Sequence, residues 1–474
     1  MTGTPPAWRA AAAASLGGSL ALGALVTLYA PLAVPLAAGA ALVAYVVPIA
    51  LATRRPPLPP LGDAAITALG PLPTVSVVVA GRNEADVIPA LVADLAAQDH
   101  RATDGRPMFE LIVVDDRSTD GTGAVALQAA RDHGLESVTR VVRRGAAPGS
   151  PGDDPPLPDG KGAALTAAPP ETCSGEVIAV LDADARIGPS YLRRAASYFA
   201  RGAPAMTARR RIIAADVGPG WRALLIRMQA DELLADAEIQ LGRWAQGGCS
   251  EFRGNGILVR RDLLAAVGGW HAQALTEDLD LSSRIAATGA RVGFALDVEA
   301  WEEPVLDPGA LLRQRLRWAG GIIRRELELS APLLRSRHLA PRAKLDYVAY
   351  SLQTVTSVAL AGAVIAAIPS GRWLPAGLVA GAYVLSGGLL AADAMRWESP
   401  PPRAARRILR GAGAVTFSSL WLPMFGVAWA RLALGSGTLR YAKTDHLGAP
   451  AGWVPAPGPE GAGGGAGSSG SQRR

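Results

Sequence analysis

Between Arg9 and Arg54 the chain carries no charged residue. The segment "APLAVP" at 30–35 divides this stretch into two apolar runs. Each is long enough for a helix to cross about 30 Å of hydrocarbon. The expectation is a transmembrane hairpin over 1–55. A secretory leader fits less well, because the basic start is weak and a second apolar run follows where a mature domain would begin.

Three further apolar segments, 347–371, 373–392 and 411–430, lie toward the C-terminus, with Tyr347, Trp373 and Trp397 at their edges as expected interfacial anchors. They define a C-terminal membrane region over 341–435. Positive charge gathers in "TRR" at 53–55, "RSRHLAPRAK" at 335–344 and "RAARRILR" at 403–410, whereas the turn at 368–374 holds one arginine. By the positive-inside rule the central part of this multi-pass protein faces the cytosol from the plasma membrane. Pro423, in the middle of the third segment, favours a kinked re-entrant helix over a full span, which keeps the tail 436–474 cytosolic. The tail from 447 onward is low in complexity and reads as disordered; 145–160 is a second Pro/Gly-rich loop.

The net charge of +6 is dispersed, without a basic block or interleaved aromatic and basic residues, which excludes a nucleic-acid partner. Cys173 and Cys249 stand far apart with no metal-ligand spacing. The apolar segments carry no charge cluster of the kind a transporter uses.

The middle, 70–305, has another grammar. The β-branched runs "TVSVVVAGRNE", "FELIVVDDRSTDGT" and "EVIAVLDADA" alternate with helical patterns at 85–97, 122–134 and 189–200. This predicts an α/β domain with a mostly parallel sheet, inserted between the two membrane regions. Ligands in such sheets bind at the carboxyl ends of the strands. The first end offers Asn83 and Glu84, the second Asp115 and Asp116, the third Asp182 and Asp184. A dinucleotide fingerprint and a P-loop are both missing. "DDRSTDGT" by itself is ordinary turn chemistry; its position after a buried strand gives it a second, functional reading. Asp182 and Asp184 alternate across a strand end, where both can reach one hard divalent cation. Asp278 and Asp280 form a rival Asp-x-Asp pair, but inside a helical pattern.

That helix begins at "LTEDLDLSSR". Thr276 is suited to cap it, Glu277 to its first turn, and Asp280 to pairing with Arg284. A further helix starts at "DPGALLRQRLRW", with Asp307 as N-cap and Pro308 as first helical residue. Leu312, Leu316, Ala319 and Ile323 make its apolar stripe; Gln314, Arg317 and Trp318 share another face. Arginine there suits a diphosphate and tryptophan a sugar or lipid, while a membrane-surface helix over 306–340 is a compatible reading. Arg209 to Arg211 read as a solvated or phosphate-facing run, 221–244 as an amphipathic helix on the sheet, and His271 as a surface-loop residue.

In chain order, "VVDDRSTDGT", "GKGAAL", "LDADA", "FRGNGILVRRDLLAAVGGW", "LTEDLDLSSRI" and "QRLRW" resemble the inverting glycosyltransferase family 2. The similarity is to its membrane-embedded branch of polysaccharide and glycolipid synthases, closest in pattern to glucosyldiacylglycerol synthases. The resemblance implies a GT-A fold and a nucleotide-diphosphate sugar donor. On the donor it places Asn83, Glu84, Asp116 at the uracil, Lys161, Asp182, Gln314 and Arg317. Asp182 and Asp184 are implied to hold Mg2+ or Mn2+, and Asp278 to be the catalytic base. Trp318, Gly254, Asn255 and Glu277 are implied around the acceptor. "YAKTDH" at 441–446 is similar to a Lys-Thr motif of such enzymes. The function expected is transfer of a hexose from a UDP-sugar, taken as UDP-glucose, to a lipid. A processive polysaccharide synthase and a non-catalytic nucleotide-sugar binder are the alternatives.

Overall fold

The computed structural model describes residues 5–145, 160–215 and 217–436. The tail motif at 441–446, the low-complexity end and most of the 145–160 loop lie outside the described residues.

Eight strands form one sheet: β1 (Val75–Gly81), β2 (Phe109–Asp116), β3 (Thr139–Arg144), β4 (Val177–Asp182), β5 (Arg186–Ile187), β6 (Ala205–Ile212), β7 (Ile257–Arg260) and β8 (Val292–Glu302). Their order is β3-β2-β1-β4-β7-β6-β8-β5. The half built from β3, β2, β1 and β4 is parallel; β7 runs against both β4 and β6, while β8 lies parallel to β6. The three β-branched runs become β1, β2 and β4. They are buried nearly throughout because apolar clusters cover both faces of the sheet.

The helices follow in chain order. Before the sheet come α1 (Pro6–Tyr29), α2 (Ala33–Ala52) and α3 (Asp63–Thr67). Interleaved with it are α4 (Ile88–Ala96), α5 (Thr122–Asp132), α6 (Lys161–Leu165), α7 (Tyr191–Ala200), α8 (Trp221–Ala245), α9 (Arg261–Ala266) and α10 (Glu277–Ala287). After it come α11 (Pro308–Arg335), α12 (Pro341–Ser351), α13 (Gln353–Ser370), α14 (Trp373–Ala394), α15 (Ala404–Ser418) and α16 (Trp421–Ala433).

Five stretches are long and apolar enough to cross a membrane: 6–29, 33–52, 341–370, 373–397 and 404–433. They fit a membrane protein whose apolar helices flank the sheet domain at both ends. Glycines let these helices approach closely. A Cβ on Gly23 would meet the Ala359 carbonyl oxygen at 1.8 Å, and one on Gly362 the Leu20 carbonyl oxygen at 2.2 Å, so α1 and α13 touch backbone to backbone. The last apolar segment is broken between Ser418 and Trp421, which puts Pro423 in the first turn of α16, where its missing N–H costs nothing. The expected interfacial anchors divide. Trp373 is exposed, whereas Tyr347 is buried with its hydroxyl 2.7 Å from Ser330 Oγ, and Trp397 donates to Glu238 at 2.7 Å.

The helix α8 joins the two regions. Its Glu238 accepts from Thr53 at 2.8 Å and from Arg396 at 2.8 Å; Asp231 pairs with Arg410, and Arg243 reaches Asp346 at 3.0 Å. A Cβ on Gly242 would meet the Ile49 carbonyl oxygen at 2.4 Å, so α2 rests directly on α8. Charges buried at such a joint hold only as pairs, which explains the match of acid to arginine along this helix.

Candidate active site

Two loops at the carboxyl ends of β1 and β2 are tied to each other. Asn83 takes a left-handed backbone (φ 58°), its Oδ1 accepts from Thr119 N at 2.8 Å, and its own N–H donates to Ser118 Oγ at 3.0 Å. Glu84 N–H donates to Thr122 Oγ1 at 2.8 Å and Ala85 N–H to Asp120 Oδ2 at 3.0 Å. Much of "DDRSTDGT" is therefore occupied in holding the loop after β1, the ordinary turn chemistry the sequence suggested. Asp116 differs: its carboxylate is buried and receives Arg117 Nε at 2.9 Å and Arg144 Nη1 at 2.7 Å. That places one carboxylate between two guanidiniums, with one positive charge in excess, at the strand end next to β1.

At the end of β4 the groups expected to do chemistry converge. The Lys161 ammonium, at the start of α6, donates to Asp182 Oδ1 and, at 2.8 Å, to the Gly254 carbonyl. Gly254 sits at φ 79°, and a Cβ there would lie 3.7 Å from Asp278 Oδ2, so the base candidate faces the same backbone turn. Asn255 Oδ1 accepts from Asp182 N–H at 3.3 Å, while its buried Nδ2 finds no partner among the described residues. Gly162 packs on Glu277: a Cβ at 162 would meet the Glu277 Cβ at 2.9 Å. Lys161, Asp182, Gly254, Asn255, Glu277 and Asp278 are thus one cluster built from α6, β4, the loop before β7, and α10.

The charges in this cluster are unequal. Burial opposes ionisation of Asp182, but Lys161, Arg210 and Arg317 outweigh it and hold the carboxyl below the usual range. Burial would also discharge Lys161, and Asp182, Glu277 and Asp278 more than offset that, raising its pKa. Glu277 is pushed up to about 7, first by burial and then by the Asp278 charge. Asp278 is raised by burial, against the Leu279 N–H, Arg253, Lys161 and Arg210. One carboxylate is therefore firmly charged and two beside it hold protons more tightly than free acids do.

Asp184 lies two residues past Asp182 in the turn after β4, separated from it by the buried Ala183. Two oxygen-donor carboxylates at a strand end, one of them held ionised, fit Mg2+ or Mn2+. Among the described residues no group of three or more acidic, His or Cys side chains could hold a metal by itself, so substrate phosphates and water would have to complete the shell.

The helix α11 delivers the third component. Asp307 caps it, accepting from Ala310 N–H at 2.6 Å, and Pro308 is its first residue. A Cβ on Gly321 would meet the Thr276 Cγ2 at 2.2 Å, so α11 packs on the start of α10. Trp318 is flanked by two guanidiniums, Arg315 (4.5 Å from Cζ to ring centroid) and Arg210 (5.4 Å), and stacks on Trp421 of α16 at 6.3 Å and 17°. Gln314 Oε1 accepts from Arg315 at 3.3 Å.

Several expectations need correction. Arg209 to Arg211 are not solvated: Arg209 is fully buried at 3.1 Å from Glu299, Arg211 reaches the same Glu299 at 2.8 Å, and Arg210 makes a two-bond pair with Glu302 at 2.8 and 2.6 Å. The run is a strand, β6, so alternate arginines point to opposite faces. Thr276 offers no side-chain cap to α10; its methyl packs under α11 instead. Leu312 leaves the apolar stripe and is exposed, with Leu311 buried in its place. Asp280 does pair with Arg284, at 2.7 Å, and also meets His271 Nδ1 at 3.2 Å.

The model of a family described as "Glycosyltransferase like family 2" matches residues 73–321. A β-monoglucosyldiacylglycerol synthase from Synechocystis sp. is 32% identical over 397 residues, covering 82% of this chain and 78% of that one. The chain belongs to this glycosyltransferase family. A second β-monoglucosyldiacylglycerol synthase, from Nostoc sp., is 33% identical over 268 residues, 56% of this chain and 53% of that one. The solved mannosyltransferase PcManGT from Pyrobaculum calidifontis, in complex with GDP-Man and Mn2+, superposes with a TM-score of 0.52 over 82% of this chain and 99% of that one. At 23% identity this likeness shows the shared GT-A fold alone.

Sequence patterns missed most of the arginines that this glycosyltransferase gathers around the candidate site; Arg210 was read only as part of a solvated or phosphate-facing run. Arg117, Arg144 and Arg210 sit on strand ends without a spacing signal, and Arg315 is an unmarked position inside "QRLRW". Strand alternation was the one available clue, separating Arg210 from Arg209 and Arg211 once β6 is known.

Proposed function

We propose that this glycosyltransferase moves a hexose from a UDP-sugar, taken as UDP-glucose, to a diacylglycerol-type lipid with inversion at the anomeric carbon. The observation that carries the reading is the cluster of Lys161, Asp182 and Asp278 around Gly254, beside a Trp318 that stacks on a membrane-region tryptophan. The two relatives named as β-monoglucosyldiacylglycerol synthases support the lipid acceptor.

In this reading the donor lies across the ends of β1, β2 and β4, bordered by Asn83, Glu84 and Asp116. Lys161, Arg317 and Gln314 bind its diphosphate. Asp182 and Asp184 would hold Mg2+ or Mn2+, which supplies charge neutralisation at the leaving diphosphate when bound. Asp278, whose raised pKa improves it as a proton acceptor, takes the proton from the acceptor hydroxyl as that oxygen attacks the anomeric carbon. Attack opposite the leaving group in one displacement inverts the centre, so no carboxylate nucleophile is required. Glu277, Gly254, Asn255 and Trp318 line the acceptor side, and the metal-binding end is kept ionised by Lys161.

The domain division follows the same reading: a catalytic unit over 70–305 facing the cytosol, and interfacial helices over 306–340 that bring the lipid to it. A donor screen on membranes containing the protein, followed by mass analysis of the organic extract, tests the donor and the acceptor. A discrete hexosyl lipid formed from UDP-glucose is the expected product; a size ladder of polymer, or no lipid product with any UDP-hexose, refutes it.

A further inference from the structure

Glu232, in the middle of α8, is buried and uses both carboxylate oxygens across element boundaries. Oε2 accepts from Arg315 Nη2 on α11, and Oε1 accepts from Trp421 Nε1 on α16 at 2.7 Å. Those two residues form the walls around Trp318. The Arg315 guanidinium stands 4.5 Å from the Trp318 ring and 5.7 Å from the Trp421 ring, and the two indoles stack. One acid thus joins a membrane-region helix, the sheet-to-membrane strut and the helix that carries Trp318.

An indole in a partly open site turns about two side-chain bonds unless its faces are held. Here the plane of Trp318 is set by Trp421 and Arg315, and both are pinned by Glu232. The second guanidinium near Trp318, Arg210, is held separately by its two bonds to Glu302. Arg210 is also the neighbour that helps keep Asp182 charged. The support of Trp318 therefore has a donor-side half, Arg210 with Glu302, and a membrane-side half, Arg315 with Glu232 and Trp421.

We infer that Glu232, Arg315 and Trp421 act together as positioning residues that set the Trp318 ring for the lipid acceptor; Arg315 also touches the donor-side Gln314 at 3.3 Å, so it is the Trp421 branch that controls acceptor affinity without controlling donor binding. The inference rests on the reading that Trp318 lines the acceptor site. A charge-assisted hydrogen bond of this kind contributes enough that losing it corresponds to about a tenfold change in an equilibrium constant.

The test uses the full-length protein in mixed micelles with UDP-glucose and dioleoylglycerol, measuring the lipid KM, kcat, and UDP binding by calorimetry. Trp421→Phe keeps the stacked ring and removes the N–H; Glu232→Gln removes the charge facing Arg315. Both are expected to raise the lipid KM about tenfold, and in Trp421→Phe UDP affinity stays within about twofold. In a Trp318→Ala background neither substitution should raise the lipid KM further, since its effect passes through the missing ring. An unchanged lipid KM in Trp421→Phe, an equal loss of UDP affinity in that variant, or full additivity with Trp318→Ala overturns the inference. If Glu232→Gln does not fold, Trp421→Phe alone decides. A Trp318→Ala variant with normal lipid KM, or a wild-type protein that makes no lipid product, refutes the acceptor reading itself, and is told apart by needing neither Glu232 nor Trp421 to be altered.

Discussion

Replacing Glu277 by Gln should make the protein more stable in alkaline buffer and leave it nearly unchanged in acid. The carboxyl is pushed up to about 7 from an ordinary 4.5, first by burial and then by the neighbouring Asp278 charge. A raised folded-state pKa means that the folded protein holds this proton more tightly than the unfolded chain does. Stability is therefore full below the unfolded value and is lost as pH rises toward the folded one. Roughly 2.5 pH units at about 1.4 kcal/mol each puts the loss on the order of 3 kcal/mol above pH 7. Gln keeps the shape without the charge, so the variant escapes that loss. In a domain of this size it corresponds to a gain in Tm of roughly 6–12 °C at pH 8.5, shrinking to a few degrees at pH 5. The assay is thermal unfolding followed by circular dichroism in detergent with EDTA, wild type against Glu277→Gln at both pH values. Adding Asp278→Asn to both should narrow the gap without closing it, because burial is the larger cause. A variant no more stable than wild type at pH 8.5, or a gap equal at the two pH values, refutes the reasoning.

Asp278→Asn should lower kcat by about 10²- to 10⁴-fold, the usual contribution of a general base, with UDP affinity by calorimetry held within about threefold. The wild-type rate should climb with pH through a value above the normal aspartate range, since Asp278 must be ionised to accept a proton and its pKa is raised. Lys161→Met removes the partner of Asp182 and the donor to the Gly254 carbonyl, so UDP-glucose affinity in a binding titration should fall by about tenfold or more. Chelation should abolish transfer of labelled hexose into the lipid extract, Mg2+ or Mn2+ should restore it, and Asp184→Asn should raise the metal concentration needed for half-activity.

The parallel half of the sheet was legible because β1, β2 and β4 are apolar runs of the right length, bounded by polar residues and spaced by helical patterns. Legible too were Asp307 as a cap, the Asp280–Arg284 pair and the five apolar stretches, each set by residues within a few positions of one another. The β6 strand was not, since three successive arginines look like a surface run until Glu299 and Glu302 on β8 supply their partners. Tyr347 and Trp397 read as lipid anchors for the same reason: nothing near them in the chain announces Ser330 or Glu238.

Residue order alone was enough to mark the acids at the strand ends and the Gln-Arg-Trp face of α11, because helix and strand periodicity are local properties of the backbone. Which of those groups carry charge, and what holds them, arises only when distant segments meet. Lys161 reaches Asp182 across 21 positions of chain, and Glu232 joins Arg315 and Trp421 across 83 and 189. Burial and neighbouring charge then separate an ionised Asp182 from a proton-holding Glu277, a difference no single-residue property contains.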